Sequence, residues 1–332
     1  MPSRRAEAPR SVLGWNTEEL TPVFHRVALT QRQLYDRRPV VVGLVGCGVW
    51  GANILRDLRL LGCDVCVVAR SDASVTRARA GGAAAVVREI GELGGVDAIV
   101  VSTPIETHTA VIEEALATDV PVFVEKPLCD DAGDAARLAA LAPERLFVMD
   151  KWRYHPGVAT LAAIATAGTF GPVHGLRTVR VQAGNRHGED AVWVLAPHDL
   201  AIALEVLGEV PRPRAAYGQW ANERLLTMHA LLEADRGWHA IEISERAPAT
   251  ERRIELHCDQ GVAILGGGWD EHVLVHLAGG GTDRLDVRGE LPLLAELRAF
   301  VGFLNGGPPP RSSAAEGAAI VEAIAALRAL AS

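Results

Sequence analysis

A glycine-rich turn between an apolar run and a helical pattern constrains the fold of this chain more than any other feature. Val40 to Val45 is continuously apolar, and from Ala52 to Leu61 apolar residues recur at helical spacing. Between them stands Gly46-Cys-Gly48-Val-Trp-Gly51. After a strand and before a helix, the first glycine permits a tight turn, the second lets backbone approach a pyrophosphate, and the third lets helix pack on strand. The segment therefore predicts a dinucleotide-binding site at a helix N-terminus.

The alternation of strand and helix patterns continues to about residue 150. The further strand candidates are short apolar runs at Val65–Ala69, Ala84–Val87, Ala98–Val101, Val122–Val124 and Leu146–Met149. Strands without polar alternation are buried on both faces, as in a parallel sheet covered by helices. We therefore predict an α/β Rossmann-type, doubly wound parallel sheet over residues 39–150.

Beyond residue 150 the pattern changes to alternating strands and fewer helices. It predicts an α+β domain over residues 151–332 with a large, open, mainly antiparallel sheet. The strand candidates of this sheet are Leu176–Ala183, Leu225–Glu233, Trp238–Glu245, Arg253–His257 and Val273–Leu277. One helix is predicted at Asp199–Leu207, and a last one at about 313–330, where Ser313 and Glu316 have the spacing of a capping box. Residues 1–38 are polar and punctuated by prolines, and are expected to form an arm before the first domain.

Composition excludes several classes of protein. The chain has 332 residues, 49% of them hydrophobic and 22% charged, which is typical of globular proteins. Its net charge of -8 has the wrong sign for nucleic-acid binding. No apolar run approaches a membrane span, so we expect a cytoplasmic protein without a membrane partner. Five cysteines argue against a disulfide framework, and the histidines lack metal-ligand spacing, so no metal is expected.

The end of the second predicted strand bears on which nicotinamide nucleotide binds. An NAD-binding fold places an Asp or Glu about 20 residues after the glycine motif, to hold the ribose 2′-hydroxyl. Arg70 stands there instead, followed by Ser71, and a guanidinium can pair with the 2′-phosphate of NADP. In the alternative, Arg70 is solvated and Asp72 reaches the ribose, as NAD requires. NADP is the favoured cofactor.

Further motifs resemble the Gfo/Idh/MocA family of oxidoreductases over about residues 40–330. They are Val101-Ser-Thr-Pro104 with Thr107-His108, Val124-Glu-Lys-Pro127, Arg153-Tyr-His-Pro156, Gly168-Thr-Phe-Gly171, Trp193-Val-Leu-Ala-Pro-His198-Asp199 and Leu291-Pro-Leu-Leu-Ala-Glu-Leu. The resemblance implies hydride transfer between a nicotinamide and a carbinol or keto carbon of a carbohydrate-like substrate. It also implies a homodimer or homotetramer assembled through the C-terminal sheet.

Carried over motif by motif, the resemblance implies a set of site residues. Lys126 and His198 would act at the reacting carbon, with Pro127 in the cis form. The cofactor would contact Gly46, Gly48, Val49, Trp50, Gly51, Arg70, Ser71, Ser102, Thr103, Pro104, His108, Glu125, Lys126 and Pro127. The substrate would contact Lys126, Lys151, Arg153, Tyr154, Trp193 and His198. Asp199, predicted in the first helical turn, would cap or orient the helix.

One position departs from the family pattern. Many members carry an aspartate four residues before the histidine, and Val194 stands there in this chain. Valine cannot relay a proton. Tyr154 is expected to compensate as a further catalytic residue, or Asp150 and Lys151 could do so. Alternatively, Tyr154 only packs, and Asp150 and Lys151 only pair with each other.

Three functions are consistent with these residues. The segment from Trp193 to Asp199 is most similar to members that act on nucleotide-linked sugars, so a sugar nucleotide is the first substrate class. The second is a free sugar or inositol, oxidised by a dehydrogenase. The third is a sensor or partner protein that binds the cofactor and has lost the reaction, as the valine at position 194 would allow.

Overall fold

The computed structural model describes residues 38–184 and 188–332, and of the predicted arm at residues 1–38 only Arg38 lies within them. The strands are β1 Val41–Val45, β2 Asp64–Val68, β3 Ala85–Val87, β4 Ala98–Val101, β5 Val122–Glu125, β6 Leu146–Met149, β7 Val173–Ala183, β8 Arg212–Ala221, β9 Arg224–Ala234, β10 Gly237–Ser244, β11 Arg246–Cys258, β12 Gly261–Leu265, β13 His272–Leu277 and β14 Thr282–Asp286. The helices are α1 Val49–Leu60, α2 Asp72–Ala80, α3 His108–Leu116, α4 Ala132–Leu141, α5 Pro156–Ala167, α6 Ala191–Leu207, α7 Pro292–Leu304 and α8 Ala314–Leu330.

The first six strands form one sheet in the order β3-β2-β1-β4-β5-β6, and every pair is parallel. The strand order reverses between β1 and β4, and a crevice at such a switch point is where open α/β sheets bind their ligands. Strands β4 and β6 are buried along their whole length because helices cover both faces. The Rossmann-type prediction is confirmed.

The second sheet has eight strands in the order β14-β13-β12-β11-β7-β10-β9-β8. All its neighbours are antiparallel except β7 and β10, which run parallel. The prediction of a large, mainly antiparallel sheet is confirmed, although it omitted β8, β12 and β14. The edge strands β8 and β14 are exposed or half-buried along their whole length and lack the apolar run that marks a buried strand.

The helix α6 is longer than predicted. It begins at Ala191 rather than Asp199 and continues through Pro197. A proline inside a helix removes one hydrogen bond, but the helix persists because Val192, Leu195 and Leu200 are buried in one apolar cluster on either side of it. The prediction that Asp199 lies in a first helical turn is therefore wrong.

The last two helices return to the first sheet. Phe300 of α7 stacks on Phe123 of β5, with ring centroids 4.6 Å apart, and Leu297 lies in the same apolar cluster. Gly317 of α8 approaches Val148 of β6 so closely that a Cβ atom would lie 2.5 Å from its side chain. Residues far along the chain therefore complete the packing around the carboxyl ends of β5 and β6.

Two further features follow from the described structure. All five cysteines are free thiols. Across residues 38–184 and 188–332, no helix combines the length and apolar character needed to cross a bilayer.

Candidate active site

A cavity of about 690 Å³ opens at the carboxyl ends of the parallel strands, between them and α6. Fifteen of the predicted site residues line it: Gly46, Gly48, Val49, Trp50, Gly51, Ser102, Thr103, Pro104, His108, Glu125, Lys126, Pro127, Lys151, Trp193 and His198. It is also lined by residues that the sequence did not single out for the site: Cys47, Ser74, Ile105, Met149 and Glu189. Val194 lines it as well.

The glycine turn leaves room for a ligand at the start of α1. Gly46 has φ +93°, and a Cβ atom there would lie 2.4 Å from the carbonyl oxygen of Ser102. A Cβ atom on Gly51 would lie 2.4 Å from the carbonyl oxygen of Gly46. A Cβ atom on Gly48, in contrast, would meet nothing within 4 Å. This open backbone at a helix N-terminus fits the pyrophosphate of a dinucleotide.

His108 joins two loops of the cavity wall. Its Nδ1 lies 3.0 Å from the carbonyl oxygen of Pro127, and its Nε2 lies 3.0 Å from that of Thr103. Burial lowers the pKa of His108 despite these carbonyls. A neutral ring can donate to only one of them at a time. The Lys126–Pro127 peptide bond held beside it is cis.

The cavity contains both lysines of the protein. Of 33 basic residues in the chain, only Lys126 and Lys151 are lysines, and the others are arginines. Because a lysine releases its proton far more readily than an arginine when buried, this distribution was a signal in the sequence that our motif analysis missed. Burial lowers the pKa of both, while nearby carboxylates oppose that shift.

The two lysines are held by different contacts. Lys126 Nζ lies 3.4 Å from the carbonyl oxygen of Val194, and donates to it. Lys151 Nζ stands 4.2 Å from the ring centroid of Trp50, a cation–π contact. The indole N–H of Trp50 donates to the Glu125 carboxylate. Glu125 thus fixes the aromatic ring on which Lys151 rests.

His198 projects into the cavity from the interior of α6. Its Nδ1 is buried and has no hydrogen-bond partner among the described residues. Burial, and then the charges of Lys126, Arg180 and Lys151, hold the pKa of His198 well below its usual value of 6.5. The ring is therefore neutral at physiological pH and can accept a proton or a hydrogen bond.

Asp199, next to His198, forms a buried ion pair. Arg180 Nε lies 3.1 and 3.0 Å from the two carboxylate oxygens of Asp199. The two side chains are 3% and 1% exposed. The guanidinium of Arg180 also stacks over Trp152, at 4.6 Å from the ring centroid. The pair anchors α6 to β7 and so fixes the position of His198.

The residues proposed for the 2′ group of the nucleotide lie outside the cavity wall. Arg70 and Ser71 are exposed after β2, and the Ser71 hydroxyl caps α2 by accepting from the Ser74 N–H at 3.2 Å. Asp72 lies 3.8 Å from Arg88, whose guanidinium also donates to the carbonyl oxygen of Arg70. Arg88 thus forms a long, exposed ion pair with Asp72, the carboxylate that NAD binding would require.

Arg153 and Tyr154 are not brought together with Lys126 and His198. Arg153 pairs with Glu205 at 3.0 Å and Glu316 at 3.1 Å. The Tyr154 hydroxyl accepts from the backbone N–H of Arg311 at 2.9 Å. Neither side chain lines the cavity. Both tie the turn after β6 to the segment before α8.

Comparisons with known proteins agree with this geometry. The model of an oxidoreductase family with an NAD-binding Rossmann fold matches residues 40–149. The chain is 31% identical over 298 residues to inositol 2-dehydrogenase 1 of Saccharopolyspora erythraea, covering 85% of this chain and 79% of that protein.

Two solved structures have the same fold. The first is UDP-N-acetylglucosamine 3-dehydrogenase from Acidithiobacillus ferrooxidans, with a TM-score of 0.77, 21% identity, and coverage of 89% of this chain and 98% of that one. The second is a 3-ketoreductase from Actinomadura kijaniata in complex with TDP-benzene and NADP, with a TM-score of 0.78, 20% identity, and coverage of 88% and 98%. By its glycine turn and its relatives, the chain belongs to the Gfo/Idh/MocA family of NAD(P)-dependent oxidoreductases.

Proposed function

We propose that this protein reduces a keto carbon of a sugar nucleotide with NADPH, using Lys126 and His198 at the reacting carbon. The observation that carries the proposal is their convergence: Lys126, Lys151 and His198 line one cavity that begins at the glycine turn. A nicotinamide bound there would supply the hydride. The protein's own residues must then supply and place the proton.

The two central residues suit different tasks. Lys126 lines the cavity, where burial lowers its pKa and so eases release of its proton, while the carboxylates of Glu125 and Asp150 favour its charged form. It is therefore the general acid for the oxygen of the ketone. His198 lines the cavity and is neutral, so it orients the substrate hydroxyl and accepts its proton in the reverse direction.

The preference for NADP rests on the loop after β2. Arg70 is exposed there, and Asp72 forms a long, exposed ion pair with Arg88. A charge-assisted hydrogen bond contributes about 1.5–3 kcal/mol, which corresponds to roughly a tenfold to hundredfold preference for the phosphorylated nucleotide. NADPH is the usual cellular reductant, which favours reduction as the physiological direction.

The relatives support two substrate classes. Sugar nucleotides agree with the names of the two solved structures, a UDP-sugar dehydrogenase and a ketoreductase complexed with a TDP compound. A free inositol agrees with the name of the 31% identical relative, and inositol oxidation is the second candidate function. A cofactor-binding sensor without turnover is the third, because Val194 leaves the usual relay incomplete.

We further propose that the protein is a homodimer or homotetramer assembled through the outer face of the second sheet. Tyr217 of β8 and Leu231 of β9 are exposed by 75% and 48%. The pairing of Ala215 with Leu231 and of Tyr217 with His229 places both side chains on the same face. Large apolar side chains exposed together on one sheet face support an interface there.

Calorimetric titration with NADPH and NADH, followed by turnover assays, tests the proposal. Tight NADPH binding and oxidation of NADPH by a keto-sugar nucleotide would support it. Preference for NADH with oxidation of inositol would instead establish the second function. Cofactor binding without turnover of any keto-sugar nucleotide, free sugar or inositol would favour the sensor.

A further inference from the structure

Two carboxyl groups lie buried near the lysines: Asp150, named above only as an alternative to Tyr154, and Glu296, to which no role has been given. Asp150 directly follows β6, and Glu296 belongs to α7; each is 1% exposed. No hydrogen bond of normal geometry reaches any of their four oxygens in the described part of the chain. The Ser312 hydroxyl nonetheless lies close enough to favour the ionised form of Asp150. The backbone of Asp150 does the same for Glu296. Two unpaired buried charges would be very costly, so the pair cannot be doubly ionised without compensation.

The sheet register places Asp150 beside Lys126. Strands β5 and β6 are parallel, and their last paired residues are Glu125 and Met149. The next residue on each strand is therefore Lys126 on one side and Asp150 on the other. Parallel neighbours lie about 4.8 Å apart across the sheet. Asp150 and Lys126 favour each other's charged forms, although Glu125 acts more strongly on Lys126, and Arg153 more strongly on Asp150.

Helix α7 brings Glu296 to the same cluster. The helix packs against the turn that begins at Lys151, and Glu296 interacts with Lys151, Asp150 and Glu125. Arg153 faces Asp150 from the turn itself. The cluster therefore holds three carboxyl groups and two lysines, with one arginine at its edge.

Burial raises the pKa of both buried carboxyl groups, but by different extents. Burial raises the pKa of Asp150 to about 6, against the opposing effects of Ser312 and Arg153. Burial, and then the charges of Glu125 and Asp150, raise the pKa of Glu296 well above its usual value of 4.5. Asp150 is therefore mainly ionised at neutral pH, whereas burial and two neighbouring carboxylates favour the protonated form of Glu296.

We propose that Asp150 is the buried counter-ion of Lys126, in the role left open by Val194, and that Glu296 steadies it as a neutral carboxylic acid. Both are positioning residues, since they act through Lys126 and do not line the cavity. The charge of Asp150 keeps Lys126 protonated and ready to donate. The inference rests on the proposed role of Lys126 as the acid.

The scarcity of lysine makes the test direct. In protein labelled with ¹³C at the lysine side chains, only Lys126 and Lys151 give signals. The variants Lys126→Arg and Lys151→Arg assign them, and a pH titration of the cofactor-free protein then reports each pKa. Asp150→Asn should lower the pKa of Lys126 by about 1 to 3, because it removes an opposite charge. Glu296→Gln should leave that pKa unchanged, because glutamine resembles the neutral acid. Asp130→Asn, at an exposed carboxylate, is the matched control.

Infrared spectroscopy gives a second measurement that does not depend on the folding of Asp150→Asn. At mildly alkaline pH the wild type should show the C=O band of a protonated carboxyl group, and Glu296→Gln should lose it. Absence of that band would overturn the proposal. A change in the pKa of Lys126 as large in Glu296→Gln as in Asp150→Asn would do the same. A folded Asp150→Asn variant in which the pKa of Lys126 is unchanged would also overturn it. Because neither measurement needs cofactor or substrate, both remain readable if the proposed reaction itself fails.

Discussion

Lys126 Nζ lies 3.4 Å from the backbone carbonyl of Val194, so the loop after β5 meets α6 through a lysine and a peptide oxygen. Val194 precedes His198 by one helical turn, and both line the cavity. A carbonyl accepts a hydrogen bond but supplies no negative charge. The contact therefore positions Lys126 without setting its protonation, which leaves that task to carboxylates elsewhere.

Restoring a carboxylate at this position should change the titration of Lys126. We expect Val194→Asp to raise the pKa of Lys126 by about 1 or more, because an opposite charge at short range favours the ammonium form. The ¹³C-lysine titration measures it. Val194→Asn introduces a side chain of nearly the same shape as aspartate but without its charge, so it should leave the pKa of Lys126 unchanged. Equal shifts in both variants would mean that packing, rather than charge, is responsible.

Removing the side chain of Lys126 should separate catalysis from cofactor binding. We expect Lys126→Met to lower kcat/KM by about 10² to 10⁴, the usual contribution of a general acid. The Kd for NADPH, measured by calorimetry, should change far less. Lys126→Arg keeps the charge but cannot release a proton, so it should remain impaired. A Lys126→Arg enzyme with parental kcat/KM would rule out proton donation.

The nucleotide preference should depend on Arg70. We expect Arg70→Ala to weaken NADPH binding by roughly tenfold to a hundredfold and to leave NADH binding unchanged, because only NADPH carries the 2′-phosphate. Calorimetry with both nucleotides measures it. Arg79→Ala removes an equal charge from the exposed end of α2 and serves as the control. Equal losses for NADPH and NADH would assign Arg70 to another role.

The buried pair of Arg180 and Asp199 should matter for stability far more than a surface pair does. We expect Asp199→Asn to lower the free energy of unfolding by about 3–5 kcal/mol, because it leaves a buried guanidinium without its counter-charge. Denaturant unfolding measures the loss. Asp286→Asn breaks the ion pair between Asp286 and Arg284, in which both side chains are 60% exposed. It should lower the free energy of unfolding by no more than about 1 kcal/mol. Similar losses in both would mean that the buried charge finds another partner.

Glu296 should make stability depend on pH in a defined direction. Its folded-state pKa is raised from 4.5, so above that pH the folded protein binds a proton that the unfolded chain has released. Stability is therefore retained at low pH and falls as pH rises above 4.5, by up to about 1.4 kcal/mol per pH unit. Glu296→Gln removes this proton, so its stability relative to the wild type should increase with pH. Parallel stability curves for the two proteins would show that Glu296 is ionised in the fold.

Local sequence pattern predicts much of the first sheet. Its six strands were all recognisable because each contains a continuous apolar run, the pattern of strands in a sheet covered by helices. The glycine turn was equally local, since Gly46 must adopt a positive φ and Gly51 must allow close backbone approach. The edge strands β8 and β14 were missed because their exposed residues need not be apolar.

The sequence by itself determined the fold class, the glycine turn and the presence of Lys126, Lys151 and His198 in one site, because short segments and family motifs encode them. Only the tertiary structure decided that α6 runs through Pro197, that Tyr154 bonds to Arg311 away from the cavity, and that Glu296 reaches Asp150. These depend on burial and on contacts between residues far apart in the chain. The charge of a carboxyl group, in particular, is set by what packs around it, and no local pattern contains that information.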